Sequence, residues 1–157
     1  MIDISKCKMT RYPAEVLRGA SQPVEQIDDN IRQLVEKMYQ LMLEHKGVGF
    51  AAPQAGVSLR VFIISLDGSR EQLKVFINPT VTPDGPLETN EEGCLSVPGL
   101  WPKIRRYTKA KVTATGLDGK EFTEQAEGLY RAAVSGMSSL EAELNGYQSL
   151  FRYLDNV

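Results

Sequence analysis

Gly47-Val-Gly-Phe-Ala-Ala-Pro-Gln-Ala-Gly56 is where the chain changes from a helical to a strand-like pattern, and the rest of the sequence is arranged around it. Gly47, Gly49 and Gly56 frame the stretch and small alanines follow Phe50, so a ligand backbone can approach without meeting β-carbons. Gln54 is its one polar side chain able both to donate and to accept a hydrogen bond.

Upstream, Ile27, Ile31, Leu34, Val35, Met38, Leu41, Met42 and His45 recur at three- and four-residue steps, which predicts an amphipathic helix. Asp28 or Asp29 supplies its cap and Gly47 its end. His45, the only histidine of the chain, falls in the last turn, where an imidazole favours the carbonyl ends. With no second histidine to join it, its reading is structural. Further upstream, Pro13, Pro23 and an irregular apolar pattern predict an extended arm anchored by Leu17 and Val24.

Downstream, residues 59–65 and 73–78 are rich in β-branched and aromatic side chains and flank Asp67-Gly-Ser, which predicts an antiparallel hairpin. Pro79, Pro83, Gly85 and Pro86 predict a break, with a polar loop running to Asn90. A second hairpin, 109–115 with 121–125, is expected around Leu117-Asp-Gly119. The last segment carries Leu129, Ala133, Met137, Leu140 and Leu144 on one helical stripe, stopped by Gly146. Gly136 and the serines at 135, 138 and 139 weaken its helical propensity.

These patterns predict an α+β fold, with antiparallel β-sheets around a C-terminal helix and an N-terminal helix before them. A length of 157 residues, 42% of them apolar, predicts a single domain over 1–157. A net charge of −2 gives no broad attraction to nucleic acid or anionic membrane, and the basic cluster at 103–111 reads as a solvated strand face. Two cysteines, Cys7 and Cys94, make no disulfide framework. With no signal peptide and no apolar run able to span a bilayer, a soluble cytoplasmic protein is expected.

A second chemical signal is Glu91-Glu-Gly-Cys-Leu-Ser-Val-Pro-Gly99. Cys94 there fits a thiolate ligand, a nucleophile or an inert buried thiol. With no histidine nearby in sequence to activate it, a Cys/His hydrolase is disfavoured.

Together, Gly47-Val-Gly-Phe-Ala-Ala-Pro-Gln54 and, about forty residues on, Glu92-Gly-Cys-Leu-Ser96 resemble the first and second motifs of the peptide deformylases. The likeness extends over residues 9–129 and includes Tyr12-Pro13, Pro23-Val24, Arg60, Leu117-Asp-Gly119 and Ala126-Glu-Gly-Leu129. The resemblance implies metal-dependent removal of the formyl group from formyl-methionyl N-termini of nascent polypeptides, with the ribosome as a neighbour. The implied metal is iron, or zinc or nickel as substitute, held by Cys94 and two histidines of a helical H-E-x-x-H. By the same resemblance, Gln54 and the N–H of Leu95 bind the oxyanion, while Val48, Gly49 and Gly93 pair with the peptide. Glu92 and Arg106 brace the site.

The chain departs from that pattern at the third motif. Aligned through Glu127-Gly-Leu129, the five motif positions fall on Gly136, Met137, Ser138, Ser139 and Leu140. Aligned through Leu144-Asn-Gly146, they fall on Ser139, Leu140, Glu141, Ala142 and Glu143. Neither register supplies two histidines and a glutamate between them. GGC ATG AGT is one encoding of Gly136-Met137-Ser138, and it contains CAT GAG, His-Glu, in another frame. The expectation is a deformylase-like protein with impaired or absent hydrolysis; the alternative is a non-catalytic module that binds peptide N-termini.

Overall fold

The computed structural model describes residues 1–11, 14–17, 19–91 and 103–127. The expected late helix, the second motif around Cys94 and both placements of the third motif lie outside them.

The arm predicted at the N-terminus is present but is not simply extended. It carries two 3₁₀ turns, Ile4–Lys6 and Glu15–Leu17. Leu17 and Val24 are buried as expected, and Cys7 is a further anchor, in the α1 core with Val24. Asparagine side chains fasten the arm at two points by imitating a strand partner. Asn30 accepts from the Ile2 N–H at 2.8 Å and donates to its carbonyl at 2.9 Å. Asn78 does the same to Val24, at 2.8 and 2.9 Å.

The helix α1 spans Asp29–Glu44. Asp28 caps it, its carboxylate accepting from the Ile31 N–H at 3.0 Å, an interaction worth about 1 kcal/mol. At the other end the left-handed residue is Lys46, with φ +57, rather than Gly47. The N–H of Lys46 reaches the Leu43 carbonyl and that of Gly47 reaches the Met42 carbonyl at 2.9 Å, a Schellman closure displaced one residue from the glycine.

Five strands form one antiparallel sheet in chain order: β1 Gly49–Ala51, β2 Val61–Ile64, β3 Lys74–Glu91, β4 Lys103–Thr115 and β5 Glu121–Glu127. Both predicted hairpins are observed, β2 with β3 and β4 with β5. The polar loop expected after Pro79 is not formed, because β3 continues through it paired with β4. Pro79 and Pro86 are accommodated at irregularities, whereas Pro83 stays in the regular ladder opposite Ala110. Pro79 sits in a register shift between Ile77 and Thr80, and Gly85 and Pro86 in another between Asp84 and Leu87. A residue without an N–H is tolerated where the ladder skips a bond, and Gly85 takes the positive φ of +76 that the second bulge requires. Lys109 and Lys111 are exposed on β4, in keeping with the solvated face expected of the basic cluster.

Alternation along β2 divides the sheet's two faces. Val61 and Ile63 join the α1 core with Phe50 and Ile77. Phe62 lies on the opposite face, stacked on Phe76 at 4.5 Å, with Phe122 another 5.5 Å from Phe76. Both Phe62 and Phe76 are 0% exposed, although α1 occupies the other side. The strand β2 is buried on both faces.

Candidate functional site

The stretch that began as a glycine-framed turn resolves into three pieces. Gly49–Ala51 forms the edge strand β1, Ala52–Ala55 a 3₁₀ turn, and Gly56 closes that turn in the left-handed conformation at φ +84. Pro53 suits the start of such a turn, because its missing N–H would have no partner there. Among the described residues no strand pairs with the outer edge of β1.

The pairing register determines which backbone groups face that edge. The N–H of Ser65 donates to the Val48 carbonyl at 2.9 Å, and Phe50 stands opposite Ile63. In an antiparallel ladder successive residues turn their polar groups to opposite sides. Val48 and Phe50 therefore bond inward to β2, while Gly49 and Ala51 direct their N–H and C=O outward. The Ala51 N–H is already engaged there, donating to Gln54 Oε1 at 2.9 Å. This is the return half of a capping box, in which the third residue of a turn reaches back to the residue before it.

The bond to Ala51 orients the Gln54 carboxamide. With Oε1 held by Ala51, the nitrogen end, which carries two N–H donors, is the end turned away. Gln54 is only 1% exposed, so its polar atoms act in a medium where hydrogen bonds are strong. Its own carbonyl accepts from the Thr10 N–H at 2.7 Å. The outer edge of β1 thus leads from Gly49 to a fixed carboxamide.

Of the residues singled out from sequence, Val48, Gly49 and Gln54 come together here. The Val48 carbonyl is taken by the Ser65 N–H just after β2, while Gly49 turns its backbone to the outer edge. Arg106 lies in β4 with its backbone opposite Glu88. Glu92, Gly93, Cys94 and Leu95 lie outside the described residues. Sequence reading missed the engagement of Ala51 and the approach of Thr10, since both depend on how the turn folds back. Burial raises the pKa of the Cys7 thiol, which keeps it protonated, as expected of an inert core cysteine.

The donor set of one cysteine and two histidines does not fit this chain. His45, the single histidine, is the C-cap residue of α1. Among the described residues no group of three or more histidine, cysteine, aspartate or glutamate side chains stands close enough to hold a metal ion.

A family model described as polypeptide deformylase matches residues 6–135, stopping one residue short of Gly136. The peptide deformylase of Neisseria gonorrhoeae is 42% identical over 124 residues, covering 79% of this chain and 74% of its own. Peptide deformylase 1 of Clostridium perfringens is 40% identical over 121 residues, 76% of this chain and 81% of its own. Among solved structures, a peptide deformylase from Legionella pneumophila superposes with a TM-score of 0.84 at 33% identity, covering 94% of this chain and 89% of the other. With the model match extending over most of its length, the chain belongs to the polypeptide deformylase family.

Proposed function

We propose that this chain binds formyl-methionyl N-termini of nascent peptides along the outer edge of β1, and that its hydrolysis of the formyl group is impaired or absent. The observation that carries the binding half is the backbone of Gly49 directed to an edge that ends at the oriented Gln54 carboxamide. A peptide laid along that edge as an added strand gains main-chain hydrogen bonds that do not depend on most of its side chains. The formyl oxygen is the group matched to the donor end of Gln54, with the N–H of Leu95 as the second donor of the pair. Gly93 joins Gly49 in pairing with the peptide, and Glu92 with Arg106 braces the site.

The impaired half rests on the donor set. A divalent metal goes with the family, whose chemistry it supplies by activating a water. Cys94 with at most Glu143 falls short of three protein ligands, and no residue at either placement of the third motif combines two histidines with a glutamate. The non-catalytic binding module is the second reading, favoured by the same shortage together with the intact peptide edge. Residues 1–157 are proposed to act as one domain, with 129–157 as its divergent part. No described helix is long and apolar enough to cross a membrane.

Titration with formyl-Met-Ala-Ser and with Met-Ala-Ser, monitored by calorimetry, tests the binding half. The formylated peptide should bind at least roughly fivefold more tightly, the worth of about one hydrogen bond in a buried site. Equal affinities would overturn the role given to Gln54.

A further inference from the structure

We propose that the N-terminal arm is the positioning element for the Gln54 carboxamide, acting through the backbone N–H of Thr10. The inference rests on the reading of Gln54 as a donor to the formyl oxygen.

The Gln54 residue is held at both ends. Its side-chain oxygen accepts from the Ala51 N–H at 2.9 Å, and its backbone carbonyl accepts from the Thr10 N–H at 2.7 Å. The turn between these points is closed by the N–H of Gly56 on the Pro53 carbonyl at 3.0 Å and that of Val57 on the Ala52 carbonyl at 3.1 Å. Thr10 brings a backbone donor to this turn from outside the stretch 51–57. Without it, the carbonyl loses its partner and the peptide plane after Gln54 is restrained only by the turn's own bonds, so the root of the side chain is held less firmly.

The arm is suited to hold such a contact because it is fixed on both sides of Thr10. Upstream, Ile2 is clamped by Asn30 on α1 and Cys7 is buried in the α1 core. Downstream, Leu17 is buried and its 3₁₀ turn packs on Ala52–Ala55. Beyond it, the Gln22 N–H donates to the Ser58 carbonyl at 3.0 Å and the Arg60 N–H to the Gln22 carbonyl at 2.8 Å. The strap therefore crosses the turn under constraint.

Its approach is close at Thr10. A β-carbon on Gly56 would stand 3.4 Å from Thr10 Oγ1. Alongside, a cleft of about 450 Å³ lined by Asp3, Lys6, Cys7, Ala55, Gly56 and Ser58 lies between arm and turn. The arm thus meets the turn at Thr10, on the border of that cleft, and again where Glu15–Leu17 packs on it.

Three variants and two readouts test the proposal. Thr10→Pro removes the N–H, an amide-to-ester replacement of the Met9–Thr10 bond removes it without a proline ring, and the conservative Thr10→Ala keeps it. Hydrogen exchange at the Ala51 amide reports whether Gln54 Oε1 stays in place, independently of any ligand. The affinity ratio of formyl-Met-Ala-Ser to Met-Ala-Ser reports whether the donor end stays aimed. Exchange at Ala51 should accelerate roughly fivefold or more in Thr10→Pro and in the ester, with the formyl preference reduced and no further loss on adding Gln54→Ala. Thr10→Ala should retain wild-type values of both. Unchanged Ala51 exchange in either folded variant lacking the N–H would overturn the positioning role. A wild-type protein with no formyl preference would overturn the reading of Gln54 alone, and the Ala51 exchange would still decide whether the arm holds the turn.

Discussion

Gln54 has an observed duty as a cap and a proposed one toward the formyl group, and they predict different losses. As a cap it satisfies the Ala51 N–H inside a nearly dry turn. Gln54→Ala should therefore cost about 1–3 kcal/mol of stability, read by urea denaturation, because a buried donor is left without a partner. A side chain serving ligand recognition only would leave the unfolding midpoint unmoved. The residue type and its place among glycines made Gln54 legible in the sequence. Its engagement with Ala51 was not, because that bond exists only once an edge strand runs directly into a 3₁₀ turn. Lys46 gives the converse lesson: Gly47 marked the helix end, but the left-handed conformation fell on the lysine before it.

Elements were legible where periodicity and turn chemistry agreed. The spacing of Ile31, Leu34, Val35, Met38 and Met42 and the cap at Asp28 fix α1. Asp67-Gly and Asp118-Gly place both hairpin turns, with Gly68 and Gly119 at positive φ. The second half of β3 was illegible because prolines ordinarily end strands, and only the partner strand β4 reveals the bulges at Pro79 and Pro86 and the regular pairing of Pro83. One tie between elements gives a pH prediction. Arg70, from the segment between β2 and β3, forms a two-pronged pair with Glu36 of α1 at 2.7 and 2.9 Å and lies over the Tyr39 ring. The hydrogen bond from Arg70 holds the Glu36 pKa below the ordinary glutamate value. A carboxylate with a depressed folded pKa contributes stability above its unfolded pKa and loses it as pH falls through the folded one. The pair is largely exposed, so the contribution is small. Wild type should exceed Glu36→Gln slightly in urea midpoint at pH 7, and the gap should close as the pH drops below the usual glutamate range of about 4.3. A gap that persists at pH 3 would contradict the assignment.

Taken whole, the sheet packs α1 against one face and is buried on both along β2. The row Phe62, Phe76 and Phe122 lies on the side away from α1. The apolar stripe read from Leu129 to Leu144 is the proposed cover. Deleting residues 129–157 should then destabilise the protein by roughly 5 kcal/mol or more, since each large apolar side chain returned to water costs about 1.5–3 kcal/mol. That approaches the whole stability of a domain this size, and a melting curve unchanged by the deletion would show that the segment does not pack there. The family was legible from two long motifs in order, while the peptide edge needed the register of β1 on β2 to become a direction for Gly49. The chemistry turns on the segment after Leu129, which contains no histidine. Formate release from formyl-Met-Ala-Ser, with purified protein supplied with iron(II), zinc or nickel and its bound metal quantified, tests this most directly. Peptide binding without formate above the uncatalysed background is the predicted result. Stoichiometric bound metal with multiple turnovers would contradict it.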